Sequence, residues 1–284
     1  MQRFYPLLFV FLWSTGFIGA KYGLPYAEPL SFLLTRYCLV IALMAVIALA
    51  TRAPWPREPK QWLHIAVSGL LVHAVYLGGV FIAIKHGLPA GIASLVVGMQ
   101  PLLTALGAGW LLHEQVSARQ WGGLALGFVG VSLVVSGKFG EGAALGSMLI
   151  PALVALLGIT AGTLYQKRFC AQFDLRSGSV IQFVPTALAT ALAVAGFEGF
   201  HVEWTTDFLF ALDWLVLVLS IGAISLLNLL IRSGSAVNVA SLFYLTPIST
   251  AIIAWVIFGE NLTLTAAFGM ALAVSGVYLV ARSK

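Results

Sequence analysis

Apolar residues run through this chain in blocks of about twenty, and polar residues appear chiefly where one block meets the next. The run "PLSFLLTRYCLVIALMAVIALATR" is apolar apart from Arg36 over about the length of helix that crosses a bilayer. Reading each block in this way predicts helices over 4–20, 30–50, 62–84, 90–112, 119–136, 145–166, 178–197, 209–231, 236–258 and 264–282. The connections are short, and many carry Gly, Pro or Ser, as in "GLPYAEP", "RAPWPREPKQ", "HGLPA", "SGKFGEG" and "RSGSA". In lipid every backbone amide needs an internal partner, so the spans must be helical. The opening "MQRFYPLLFVFLWSTGFIGA" has the make-up of a signal peptide, but nine further apolar runs follow it, and an uncleaved first span is the expectation.

Composition sharpens this picture. Charged residues make up 9% of the chain, against roughly 25% in a soluble domain. So few charges cannot cover a globule, and most of the surface must face lipid. The net charge of +5 is scattered singly between apolar runs, which gives no nucleic-acid-binding face. Cys38 and Cys170 lie in or beside apolar runs and suggest neither a disulfide framework nor a metal site. No cofactor is expected. With the N-terminus inside, eleven Lys and Arg residues fall in cytoplasmic segments and three, Lys21, Lys85 and Lys138, on the other side. Both termini are therefore expected in the cytoplasm, with the acidic 198–207 loop outside.

The second half of the chain repeats the first. Aligned without gaps at an offset of 146, Pro101 meets Pro247, Thr104 meets Thr250, Glu114 meets Glu260 and Gly130 meets Gly276. Thirteen of the 45 positions from Ala90 to Val134 are identical. Matched Pro, Glu and Gly are not accounted for by apolar composition. The same offset pairs Gly16 with Gly162 and maps all five first-half spans onto the second half. The expected fold is thus an all-α integral membrane protein of ten transmembrane helices, in two five-helix repeats over 1–140 and 141–284. Five is odd, so the second repeat starts from the opposite side and is inverted. Inverted repeats are common in secondary transporters, whose substrate site lies near the midplane between the halves.

The opening "WSTGFIGAKYGL", the second-helix "PLSFLLTRY" and the repeated Pro-to-Glu pattern ending in "HEQVS" and "GENLT" resemble the drug/metabolite transporter superfamily, and within it the EamA-type ten-helix carriers. The resemblance covers nearly the whole chain and implies a bacterial inner-membrane carrier of amino acids, other metabolites or toxic compounds. It also implies a central cavity lined by helices 1–4 and 6–9, with helices 5 and 10 as supports. The residues agree about the supports: Gly123, Gly127 and Gly130, matched by Gly269, Ala273 and Gly276, give the small-residue spacing that lets helices approach closely. Glu114 and Glu260 each end a helix three residues before Ser117 and Thr263, which reads as turn and cap, with Gln120 completing a capping box. Pro101 and Pro247 fall half-way along their helices and are expected to bend them.

The intramembrane polar residues are few: Arg36, His73, Gln100, Gln182, Asn228 and Asn238, besides aromatics. None of the ten acids lies in mid-span, which counts against a carboxylate-driven proton antiporter and against a membrane hydrolase. His73 and Tyr76, three apart, offer either a substrate-facing polar edge or a packing pair. Trp13, Tyr165 and Tyr244 offer either aromatic walls or packing and interface anchors. Arg36 stands about 10 Å below the outer end of its helix at 1.5 Å per residue, with the neutral Gln182 as repeat partner. It either snorkels to the interface or faces the cavity, where its planar donors would take a carboxylate. The candidate substrate-binding set is Arg36, His73, Tyr76, Trp13, Gln100, Tyr165, Asn228, Asn238 and Tyr244. The expected function is secondary transport of a small organic solute by alternating access, acting as an exporter, monomer or weak homodimer, with the solute and membrane lipid as partners. The alternatives are a membrane-embedded enzyme acting on a lipid and a structural or sensory membrane protein.

Overall fold

The computed structural model describes residues 4–88, 90–136, 145–170, 172–258 and 263–282, and in them the chain is helical throughout its spans. In chain order the helices are α1 (Tyr5–Gly23), α2 (Pro29–Ala50) and α3 (Pro59–Lys85). Then come α4, in two pieces (Ala90–Val97 and Gln100–Leu111), and α5 (Ala118–Ser136). The second half holds α6 (Leu145–Phe169), α7 (Leu175–Glu198) and α8 (Thr206–Ser233). It ends with α9, broken into Ala236–Ser241, a 3-10 turn Leu242–Tyr244 and Leu245–Phe258, and α10 (Leu264–Ala281). Among the described residues nine segments are long and apolar enough to cross a membrane, and the 19-residue α5 is the tenth helix.

The helix starts follow from local chemistry. Pro29 and Pro59 occupy first positions, where the missing amide hydrogen costs nothing. Thr205, Ser235 and Thr263 accept from the backbone N–H three residues on, at 3.2, 3.1 and 3.1 Å. Ser117 and Gln120 form the full capping box, Gln120 N donating to Ser117 Oγ at 3.2 Å and Ser117 N to Gln120 Oε1 at 2.9 Å. Pro101 and Pro247 do not bend continuous helices. Each lies in the first turn of a new piece of helix, so α4 and α9 are broken in front of them. Glu260 lies outside the described residues. Glu114 caps across the repeats, both carboxylate oxygens accepting from Ala236 N at 3.2 Å, at the start of α9.

The 146-residue offset holds for the elements as well as for the letters. Adding 146 to the starts of α2, α4 and α5 (29, 90 and 118) gives 175, 236 and 264, the starts of α7, α9 and α10. The i→i+5 turns correspond too: Leu70–Leu77 in α3 shifts to 216–223, and α8 has its own at Leu215–Ala223.

Packing is between halves. α2 lies along α7, the wide turn of α3 against α6, and the wide turn of α8 against α1. α5 and α10 form the closest pair, and their glycines decide it: a Cβ added to Gly123 would stand 2.7 Å from the Gly276 carbonyl, and one on Gly269 would stand 2.6 Å from the Gly130 carbonyl. Outside this core, Leu192, Phe268 and Trp110 present bare apolar surface, as a lipid-facing wall must. At one end of the bundle Ala27 bridges Val202, Glu198 accepts from Leu30 N at 3.0 Å and Ser31 N at 3.2 Å, and Lys85 pairs with Glu28 at 3.2 Å.

Candidate functional site

In the half of the bundle nearer the Glu198 end, α1, α2, α3 and α8 line a narrow cavity of about 30 Å³. That is room for a water or two, so an organic solute needs its walls to move. Its lining is apolar and aromatic, from Phe17, Phe81, Leu215 and Leu219 among others, with one cation, Arg36.

Arg36 is 3% exposed, and its Nε donates to Ser220 Oγ at 2.9 Å. Among the described residues no carboxylate pairs with it. It reaches the cavity because α2 starts at Pro29 and lies along α7, which turns the Arg36 face inward toward the wide turn of α8 that carries Ser220. Trp13 and Tyr76 lie nearly parallel, ring centroids 6.1 Å apart at 11°, and form a flat wall of the same cavity. Phe9, tilted at 46°, and Phe243, edge-on at 82°, pack against Trp13 at 5.2 and 5.3 Å between centroids. The arrangement is one desolvated guanidinium beside an aromatic plate. It is chemically fit to hold a carboxylate on an apolar or aromatic body.

Of the nine candidate residues, three meet here: Trp13, Arg36 and Tyr76. His73, three residues from Tyr76, does not line the cavity. The wide turn Leu70–Leu77 contains both and breaks the α-helical spacing, so His73 turns toward α7 and stacks on Phe183 at 4.1 Å. Both its ring nitrogens are buried, and the ring lies beside the Gln182 side chain. Gln100 donates to Thr163 Oγ1 at 3.3 Å, and Asn228 accepts from Gln166 Nε2 at 2.7 Å. Asn238 accepts from Gln120 Nε2 at 3.4 Å at the start of α9. Tyr244 is fully buried against Gly127, its hydroxyl without a partner. Tyr165 bonds His64 Nδ1 at 2.7 Å at the far end of the bundle. Sequence reasoning passed over Ser220 and the leucines of α8. Ser220 had a signal, a hydroxyl inside the apolar run "LVLVLSIGA", whereas Leu215 and Leu219 had none. Among the described residues no group of three or more His, Cys, Asp or Glu side chains could hold a metal ion.

Comparison with known proteins agrees in both sequence and shape. The model of the EamA-like transporter family matches residues 4–136 and 146–282, one copy per half. The "Uncharacterized transporter YvbV" of Bacillus subtilis is 30% identical over 275 residues, covering 95% of this chain and 88% of that one. The "Probable amino-acid metabolite efflux pump" of Salmonella typhimurium is 28% identical over 290 residues, covering 97% and 93%. The "Uncharacterized inner membrane transporter YedA" of Escherichia coli K12 is 28% identical over 275 residues, covering 96% and 88%. One crystal structure superposes with a TM-score of 0.78 at 21% identity, covering 98% of this chain and 95% of that one, which fixes the fold. The chain belongs to the EamA-like transporter family and is a multi-pass membrane transporter, not an enzyme.

Proposed function

We propose that this EamA-family carrier exports a small amphipathic carboxylate of the amino-acid type across the inner membrane, by alternating access between its two inverted halves. The observation that carries the reading is Arg36, a guanidinium 3% exposed in the cavity wall with a serine hydroxyl as its partner. A buried cation needs an anion, and no described side chain supplies one. A planar donor fork suits a carboxylate, and the Trp13–Tyr76 plate suits an apolar or aromatic body beside it. Two relatives point the same way in their names, one as an amino-acid metabolite efflux pump and one as an inner membrane transporter. Cytoplasmic termini are part of this reading, supported by the count of eleven cations against three outside the spans.

The test compares solutes that differ only in the carboxylate. Purified protein is melted with L-phenylalanine, with L-phenylalaninol and with phenethylamine, since a binder raises Tm by mass action. L-Phenylalanine is expected to raise Tm and the two carboxylate-free analogues to leave it unchanged. Equal stabilisation by all three would remove the assignment of a carboxylate to Arg36. Counterflow of radiolabelled L-phenylalanine in proteoliposomes then reads transport itself.

A further inference from the structure

The connection between α2 and α3 is pinned to both helices that it lies beside. Ser177 Oγ, near the start of α7, donates to the Pro54 carbonyl at 2.6 Å, and Trp62 Nε1, in the first turn of α3, donates to the Pro56 carbonyl at 2.8 Å. Trp55 stacks on Trp62 at 5.6 Å between centroids and 14°. Residues 54–56 therefore reach from α7 to α3. Around them stand three cations, Arg52, Arg57 and Lys60, and one acid, Glu58, all exposed. Among the described residues none of the four is in an ion pair. Asp174, the acid just before α7, is already taken, because Arg176 bonds it at 2.9 and 2.7 Å.

Beside this connection the outer surfaces of α3 and α7 form an apolar groove of about 320 Å³. Trp62, Leu63 and Ala66 line it from α3, and Val180, Val184 and Pro185 from α7. Trp62, Leu63 and Val184 are 40, 61 and 38% exposed, so the groove opens onto the lipid-facing wall and not into the bundle. Its depth matches one leaflet. From Leu175, where α7 starts, to Pro185 is about 15 Å at 1.5 Å per residue, half of the roughly 30 Å of bilayer hydrocarbon. Bilayer hydrocarbon holds no water to fill such a groove, so an acyl chain fills it. The stacked indoles mark the level of the headgroups, and three cations without partners at that level select a negative one.

We propose that the α3–α7 groove and the connection above it bind one anionic phospholipid, its phosphate held by Arg57 and Lys60 and an acyl chain lying along Ala66, Val184 and Pro185. α3 belongs to the first repeat and α7 to the second, so the lipid touches both halves of the carrier. The site is separate from the Arg36 cavity and stands whichever solute is carried.

The test needs no transported solute. Purified protein in detergent is melted with dioleoyl phosphatidylglycerol, with dioleoyl phosphatidylcholine and with sn-glycerol 3-phosphate, and each lipid is titrated by native mass spectrometry. Phosphatidylglycerol is expected to raise Tm by mass action and to bind more tightly than phosphatidylcholine, with no effect of glycerol phosphate. Each cation beside an anionic headgroup is worth about fivefold in affinity. Arg57→Gln/Lys60→Gln should therefore keep the lipid-free Tm and lose about twenty- to thirtyfold in phosphatidylglycerol affinity, leaving the phosphatidylcholine value unchanged. Val184→Trp, which fills the groove from an exposed position, should weaken both lipids. Equal affinity of wild type for the two lipids overturns the proposal, as does wild-type phosphatidylglycerol affinity in Arg57→Gln/Lys60→Gln. Undiminished lipid binding in Val184→Trp removes the acyl chain from the groove, and a Tm rise with glycerol phosphate equal to that with the lipid reduces the site to a contact for free phosphate; either result overturns it.

Discussion

Arg36→Gln separates a binding arginine from a snorkelling one, because the two roles change different quantities. The guanidinium is 3% exposed with one hydroxyl bond of 2.9 Å from Nε. A carboxylate seated on its remaining donors makes a desolvated two-point contact. Truncating one member of such a pair costs about 2–4 kcal/mol of binding, which is a Kd increase of about thirty- to a thousandfold. Arg36→Lys keeps the charge and loses the fork, so it should fall between, about five- to thirtyfold weaker at about 1–2 kcal/mol. Stability should move the other way. A buried cation with a neutral partner carries a desolvation penalty that its surroundings do not repay, so the unliganded Tm of Arg36→Gln should equal or exceed wild type. The assay is calorimetric titration of L-phenylalanine into detergent-solubilised protein, with a melting curve for each variant. Wild-type Kd in Arg36→Gln, or a Tm that falls by many degrees while Kd holds, would refute the reasoning and leave Arg36 a structural residue.

Three further outcomes follow from the packing and the charges. Gly130→Ala should cost about 1–3 kcal/mol by overpacking, because its added Cβ would meet the Gly269 carbonyl at 2.5 Å, while Gly122→Ala, with nothing within 4 Å, should be neutral or slightly stabilising; equal Tm values for the two would contradict the α5–α10 contact. Glu114→Ala should lose about 1 kcal/mol by removing the acceptor for Ala236 N at the start of α9, and Glu114→Gln, which keeps an acceptor, should lose less, both read from chemical or thermal unfolding. For orientation, a cysteine substituted at Glu203 should react with an impermeant thiol reagent in intact cells and one at Lys60 should not, and the reverse pattern would invert the topology.

How far the sequence reveals this molecule depends on which interaction sets each feature. Helix starts at Ser117 and Thr263 were legible because caps act within a turn of themselves, whereas α3 starts at Pro59, ahead of the expected 62. The repeat was legible because matched Pro, Glu and Gly resist explanation by composition, and the element starts share its offset. The wide turns at Leu70–Leu77 and Leu215–Ala223 were not, because apolar blocks carry no periodic signal there to distinguish i→i+4 from i→i+5 bonding. That is why His73 and Tyr76, assigned to one face by helical spacing, point to different places. Gln100, Asn228 and Asn238 could be recognised as intramembrane polar residues, but not as partners of Thr163, Gln166 and Gln120, since those pairings join helices far apart in the chain. Glu114 carried a cap signal for its own turn, and its actual cap lies on the opposite repeat, 122 residues away.

The two halves share a backbone plan and differ in side chains, and that difference bears on transport. Identical walls would bind one solute equally in both conformers, and a ligand with equal affinity for two states shifts nothing between them. Here the wall that carries Arg36, Trp13 and Tyr76 has Gln182, Ile159 and Gly222 as its counterparts, so charge and aromatic surface belong to one half alone. On the proposed reading, a carboxylate-bearing solute favours the conformer in which Arg36 is reachable. Each tenfold of affinity between the walls biases the equilibrium by about 1.4 kcal/mol. The glycine contacts of Gly69 and Gly162 act on the same equilibrium with no solute present, since they let α3 approach α6 and α7 closely. In the proposed alternating access these contacts are the ones that must part for that half to open.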